Sequence, residues 1–162
     1  MTSKQTILKE MIQRIQTVSL LISAILLIVC SAMPLAAYQP TAVESPTLLY
    51  NLCTINGASG EWSFSSCGLL AILLATVVTS ILNIFGYKNR KRQMNRCLIA
   101  IILLVVWHAL FIYLLNTVAP ENSWPEIRYT ALLPFIAIIL QWLARIGIKR
   151  DDDLIKSMDR IR

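Results

Sequence analysis

The sequence predicts an all-α membrane protein: a bundle of four transmembrane helices, both termini cytoplasmic, with a small extracytoplasmic β-hairpin and amphipathic cytoplasmic ends. Three observations predict it. First, the 162 residues are 56% hydrophobic and only 15% charged, whereas soluble domains run about 45–50% apolar and 25% charged. Second, four long apolar runs, at about 18–37, 68–85, 97–115 and 129–146, hold no Asp, Glu or Lys. A helix needs about 20 mostly apolar residues to cross the hydrocarbon core. Third, of the 15 Lys and Arg residues all but Arg128 fall in three blocks outside those runs or at their ends.

The runs must be helices, because backbone groups in lipid are bonded within a helix or a closed barrel. Barrel strands would alternate apolar and polar residues, and runs such as 69–75 and 97–107 do not alternate. Arg145 stands near the end of the fourth run, where a long side chain can snorkel to the headgroups. Length and composition fit one domain, 1–162.

Orientation follows from the basic residues. Lys4, Lys9 and Arg14 precede the first run; Lys88, Arg90, Lys91, Arg92 and Arg96 lie between the second and third; Arg145, Lys149, Arg150, Lys156, Arg160 and Arg162 close the chain. All three blocks share one side if the four runs span, and Lys and Arg are retained in the cytoplasm. The net charge of +6 is therefore topogenic and calls for no nucleic acid partner. Anionic headgroups add about 1 kcal/mol per basic residue. A cleaved signal peptide is the competing reading of the first run, which exceeds the usual apolar core of about 7–15 residues. A lipoprotein signal at Cys30 would want a small residue where Val29 stands.

Outside the runs, Ile7, Leu8, Met11, Ile12 and Ile15 recur at helical spacing, an amphipathic segment that continues into the first span. Residues 38–67 form an outer loop too long for a simple connector. Within it, 47–55 is rich in β-formers, Asn56-Gly57 signals a turn and 61–65 alternates, so a hairpin is expected with Ile55 opposite Glu61. The second outer loop, 116–128, reads as an interfacial connector with Trp124 and Tyr129 as headgroup anchors. Pro134 would kink the fourth span. Asp151, Asp152 and Asp153 suit the start of a separate cytoplasmic helix, 151–162, whose stripe is Leu154, Ile155, Met158 and Ile161.

Chemistry-bearing residues are few. Cys53 and Cys67 lie on the outer, oxidising side and could form a disulfide, which over a loop of that size contributes about 3 kcal/mol. No Cys-x-x-Cys pair supports thiol exchange. His108 and Asn83 form a candidate intramembrane polar site; interhelical hydrogen bonding accounts for Asn83, Thr76, Thr79, Ser80 and Gln141 equally well. No catalytic residue, metal site or cofactor is expected, since neither an acid–base pair nor a nucleophile with its base is visible.

Residues 11–17, Met-Ile-Gln-Arg-Ile-Gln-Thr, resemble the opening of a bacterial four-span membrane family known as domain of unknown function 4293. Leu143, Ala144, Ile148, Lys149, Arg150, Asp151, Leu154, Lys156, Ser157, Asp159, Arg160 and Arg162 are similar to its ending. The family's opening usually stands at the start codon, so translation from Met11 is weighed beside Met1. The resemblance implies a bacterial inner-membrane protein and brings no known activity, cofactor or catalytic residue. It draws attention to a cytoplasmic interaction surface of Gln13, Arg14, Gln16, Asp151, Asp159 and Arg160, with Arg14 near Asp159 or Asp151. The expected function is a non-enzymatic accessory or scaffold subunit of a cell-envelope assembly, with the lipid bilayer and a membrane or cytoplasmic protein as partners. The alternative is a small transporter, channel or lipid-binding protein lined by His108 or Asn83.

Overall fold

Helix α1 (Ser3–Ala32) is one unbroken rod that ends before the apolar run does. Residues 36 and 37, expected inside the first span, instead join 38 and 39 of the outer loop in strand β1 (Ala36–Gln39). The computed structural model describes residues 3–39, 45–86, 89–119 and 123–159, and for 3–15, 155, 158 and 159 the backbone alone. After β1 come β2 (Thr47–Leu49), β3 (Thr54–Ile55) and β4 (Trp62–Ser63), a 3-10 turn at Phe64–Ser66, and α2 (Cys67–Phe85). Then follow α3 (Arg90–Thr117), β5 (Trp124–Ile127), a 3-10 turn at Tyr129–Leu132 and α4 (Leu133–Asp159).

The four helices form an up-and-down ring in which α1 packs on α2 and α4, and α3 packs on the same two. Each helix buries a seam whose members stand alternately three and four residues apart. On α1 the seam is Gln16, Leu20, Ser23, Leu27 and Cys30; on α2 it is Leu69, Leu73, Thr76, Ser80 and Asn83. On α3 it is Cys97, Ala100, Leu104, Trp107, Phe111 and Leu114; on α4 it is Ala137, Gln141, Ala144, Ile148 and Asp151. That 3.5-residue repeat is the one that keeps a seam facing its neighbours in left-handed bundles.

The seams are rich in small and polar residues, and the outer faces are apolar. Ile25, Ile28, Val78, Ile102, Val105 and Phe135 are each more than half exposed. Phe64–Phe85, Arg90–Thr117 and Tyr129–Leu154 are long and apolar enough to cross a membrane, and α1 adds a shorter apolar stretch, Gln16–Ala32. Small seam residues let helix backbones approach, the device that membrane bundles use where lipid supplies no hydrophobic drive.

One end of the bundle carries a five-stranded antiparallel sheet in the order β4-β3-β2-β1-β5. This is larger than the hairpin that the sequence predicts. The first apolar run lends it β1, and the second connector lends it β5, paired as Ala36↔Ile127 through Gln39↔Trp124. The turn also differs by one residue: Ile55 pairs with Trp62 and Thr54 with Ser63, because Asn56, and not Ile55, meets Glu61, donating its N–H to Glu61 O at 3.0 Å. Gly60 takes φ +68° in that turn. Gly57 lies against the chain entering β2, where an added Cβ would stand 1.8 Å from Ser45 O.

Asn51 locks the sheet to the helices. It follows β2 and is fully buried. Its Nδ2 donates to Cys30 O at 2.7 Å, near the end of α1. Its backbone carbonyl accepts from Leu70 N–H at 3.2 Å, near the start of α2. Its Oδ1 accepts from the indole N–H of Trp107 at 3.2 Å, in the middle of α3. Nearby, the Tyr38 hydroxyl donates to Leu115 O at 3.0 Å, and burial pushes its phenol above the usual range. Thr130 donates to Pro34 O and binds the start of the fourth helical segment to the end of the first.

Two further expectations are corrected. Pro134 is the second residue of α4, a first-turn position where the missing N–H is harmless, so it starts the helix and makes no mid-span kink. Residues 151–159 continue α4 without a break, so the aspartates cap no new helix. Lys149, Arg150 and Asp151 offer no Gly or Pro to stop one.

Replacing Asn51 with Ala leaves the Trp107 N–H and the Cys30 carbonyl buried without this partner. A loss of about 2–4 kcal/mol is expected, measured by unfolding in detergent. The exposed Asn116, bonded only within its own helix, should change stability little when replaced by Ala. Gly57→Ala should disrupt the sheet, read as protease sensitivity within residues 45–63, with the helices retained by circular dichroism.

Candidate functional site

Chemistry-bearing side chains gather in three places: the bundle end away from the sheet, a layer across the middle, and a cleft beside the sheet.

At the far end, α2 stops at Phe85 and its last carbonyls need partners. Two side chains of α3 supply them: Arg96 Nη1 donates to Leu82 O at 2.7 Å, and Gln93 Nε2 to Asn83 O at 3.0 Å. A guanidinium there also suits the negative end of the helix dipole. Asn89 caps α3 by accepting from Arg92 N–H at 3.2 Å. Arg90 reaches α4 and pairs with Asp151 at 2.9 Å, with side chains 23% and 8% exposed. Gln16 of α1 packs over Gly147, where a Cβ would lie 2.9 Å from Gln16 Cγ. Gln16, Arg90, Gln93 and Asp151 line a cavity of about 20 Å³, room for about one water-sized group. Gln16 Nε2 and Arg90 Nη1 are buried and find no acceptor among the described residues.

Further along α4, Lys156 donates to Asp152. That bond holds the Asp152 carboxyl below its ordinary value and the Lys156 ammonium above its own. The Asp152 contribution is present above the ordinary carboxylate range and fades as pH falls through its lowered pKa. The Lys156 contribution is present below the ordinary ammonium range and fades as pH rises through its raised pKa. The Lys156 side chain is exposed and the pair is a single i,i+4 contact at the bundle's rim, so it matters little to stability.

Across the middle, Gln141 Nε2 donates to Ser80 Oγ at 2.6 Å and to Ser23 Oγ at 3.3 Å. The Ser80 hydroxyl in turn donates to Thr76 O at 2.9 Å. All three side chains are essentially unexposed. This layer joins α1, α2 and α4 and divides the apolar core. Leu27, Leu73, Leu104 and Trp107 pack on the sheet side; Leu20, Cys97, Ala144 and Ile148 pack on the other.

Beside the sheet, a half-open cleft of about 650 Å³ runs between the β3–β4 turn and the end of α3. Thr47, Thr54, Asn56, Glu61 and Trp62 line one side, continuing through Ser63 and Ser65; Thr117 and Val118 close the other. The sequence reading singled out none of this cleft as a site. Its signal is the interleaving of Ser and aromatic residues in 62–65, a pattern that strand alternation explains equally well.

The structure separates the intramembrane pair named from sequence. His108 Nδ1 lies 2.7 Å from Leu104 O on its own helix. A carbonyl only accepts, so Nδ1 carries the proton. The ring stands edge-on to Trp107 and Phe135. Asn83 instead donates to Cys97 Sγ at 3.0 Å. Cys53 and Cys67 are free thiols, the first buried and the second exposed at the start of α2. Gln16 and Asp151 share the small cavity at the far end. The side chains of Gln13, Arg14 and Asp159, and all of Arg160, lie outside the described residues. Among the described residues, no three His, Cys, Asp or Glu side chains gather as metal ligands.

The Arg90–Asp151 pair is testable by a double-mutant cycle with Arg90→Gln and Asp151→Asn. Its partial burial predicts a coupling of about 1–3 kcal/mol, more than an exposed pair gives, read by unfolding in detergent at low and high salt. Coupling below about 0.3 kcal/mol would make the contact incidental.

No curated protein matches the sequence. A family described as "Domain of unknown function (DUF4293)" matches residues 12–161, which takes in all four helices, the sheet and the far-end cluster. The chain therefore belongs to the DUF4293 family.

Proposed function

We propose that the chain is a multi-pass protein of the bacterial inner membrane, with both termini cytoplasmic, that serves as a non-enzymatic accessory or scaffold subunit of a cell-envelope assembly. One observation carries this reading: the side-chain donors within the bundle are engaged by a neighbouring helix or by their own, while the remaining polar surface collects at its two ends. Gln141 Nε2 is engaged by Ser80 and Ser23, with its Oε1 buried and without a partner among the described residues, and His108 Nδ1 is engaged by its own helix. A conduit would use such groups to line an open path. Here they knit helices together, which favours a scaffold over the transporter or channel reading.

The exposed apolar belt supports insertion. The basic residues support the orientation: Arg90, Lys91, Arg92, Arg96, Lys149 and Arg150 share the far end, and Arg128 lies at the sheet end. In this orientation the sheet projects outside, with Trp62, Phe64, Trp124 and Tyr129 each more than half exposed. The far end would then offer the cytoplasm a stiff surface. Its parts are fixed by the Arg90–Asp151 pair and by Arg96 on the α2 terminus.

Site-specific photo-crosslinking in native membranes tests the assignment. Probes at Lys91 and Lys149 should capture a protein partner in discrete adducts, while probes at Ile102 or Val105 should capture chiefly lipid. A protein that runs as a monomer and yields no protein adduct from either end would overturn the scaffold reading. Reporter fusions after residue 159 and within 56–60 check the orientation. A cytoplasm-active signal is expected from the first and a periplasm-active one from the second.

A further inference from the structure

We propose that the cleft between the β3–β4 turn and the end of α3 is a saccharide-binding site that takes a neutral or amine-bearing sugar ring. Its volume, about 650 Å³, falls within the range of small-molecule sites, about 300–1,000 Å³. Its chemistry is narrower than its size. Hydroxyl-bearing residues line both sides, with Thr47, Ser63 and Ser65 from the sheet region and, from the helix, Thr117, whose hydroxyl donates to Tyr113 O at 2.9 Å and keeps a lone pair to accept with. Hydroxyls both donate and accept, which matches the mixed demands of a polyol.

Trp62 supplies the apolar partner. It lies on the terminal strand of the sheet and is 63% exposed. An indole has a flat apolar face with a polar edge, and a sugar ring presents a flat C–H face with polar edges. The two surfaces are complementary where a purely polar or purely apolar ligand would match only half.

Charge selects further. Glu61 is the charged residue of the described lining, and none there is basic. The end of α3 adds the negative pole of a helix dipole. Phosphates and carboxylates are therefore disfavoured, and hydroxyl or ammonium donors are favoured.

The turn is also fixed in advance. Asn56 Oδ1 accepts from Ala58 N–H at 3.0 Å, which leaves the amide NH₂ as the donor that side chain offers. Thr47 Oγ1 accepts from Gly57 N–H at 3.2 Å. Gly60 N–H donates back to Asn56 O at 2.9 Å. A preset turn loses little freedom when a ligand arrives, which favours affinity. Thr54, 5% exposed in the cleft wall, has a hydroxyl with no partner among the described residues.

The inference stands apart from the scaffold reading, since a sugar site could serve a protein with or without protein partners. The test is saturation-transfer NMR on the full chain in nanodiscs. Three soluble probes separate the charge classes: N,N′-diacetylchitobiose (neutral), a glucosamine disaccharide (cationic) and glucose 6-phosphate (anionic). The first two should saturate, and the third should bind at least tenfold more weakly. Trp62→Ala should weaken binding at least tenfold. Thr117→Phe, which fills the cleft from the helix side and leaves the sheet untouched, should do the same. Trp124→Ala, exposed but outside the cleft, should leave binding unchanged. Vesicles carrying a monoglucosyl diacylglycerol form a further arm. Competition by these vesicles would place the sugar on a lipid headgroup, and its absence would favour a soluble glycan. Failure of every soluble probe to saturate, equal binding of the anionic probe, or unaltered binding in both Trp62→Ala and Thr117→Phe would overturn the proposal.

Discussion

Asn51 holds the architecture together because its hydrogen bonds reach three helices from one buried position. An uncapped end on α1, an orphan donor on α2 and an indole N–H in the middle of α3 each need a partner where water is excluded. A single carboxamide with its own backbone carbonyl meets all three. The sheet is thereby anchored to the bundle as well as capping it: the segment that leaves β2 turns inward, deposits Asn51 among the helices and returns to β3. Small sheets are marginal alone, and this one gains its stability from the helix ends beneath it. Tyr38 on Leu115 and Thr130 on Pro34 repeat the device at its margins.

The far end solves the same problem with charge. Helix termini that lack a folded cap are closed by side chains, Arg96 and Gln93 of the neighbouring α3 over the end of α2, and Asn89, the cap residue of α3, over its own start. The basic block between α2 and α3 thus has two physical roles. Arg90 and Arg96 are built into the bundle, whereas Lys91 and Arg92 remain to define electrostatic surface. The acidic residues at that end divide likewise: Asp151 is taken by Arg90, and Asp152 by Lys156 on its own helix.

Much of the helical architecture is legible in the sequence once small and polar residues are read as the inside. Ser23, Cys30, Thr76, Ser80, Asn83, Cys97, Ala100, Gln141 and Ala144 interrupt the apolar runs at the seam spacing, and hydropathy alone passes over them. The sheet was legible only in part. Residues 36–39 carry the apolar character of the span they follow, and 124–127 contains a proline. Neither looks like a strand until the other lies beside it, since pairing across some ninety residues leaves no local trace. The one-residue shift at the β3–β4 turn has the same origin: Asn56-Gly57 marks a turn, and the hydrogen bond to Glu61 decides its length. Of the site residues, Gln16 and Asp151 stand near the family's terminal motifs and could be named in advance. Arg90 could not be matched to Asp151, nor Thr117 to Trp62, because those pairs exist only once the ring of helices has closed.

The closing contact of that ring joins the earliest helix to the latest. α1 sets Gln16 against Gly147 and Ser23 against Gln141, both on α4. A chain is made from its N-terminus onward, so the first helix presents its Gln and Ser long before their partners exist. Until α4 is complete, those groups must be shielded by whatever surrounds the nascent bundle. Within α1 the order is therefore split: the Cys30 carbonyl can meet Asn51 early, whereas the Ser23 hydroxyl meets Gln141 only once α4 closes the ring.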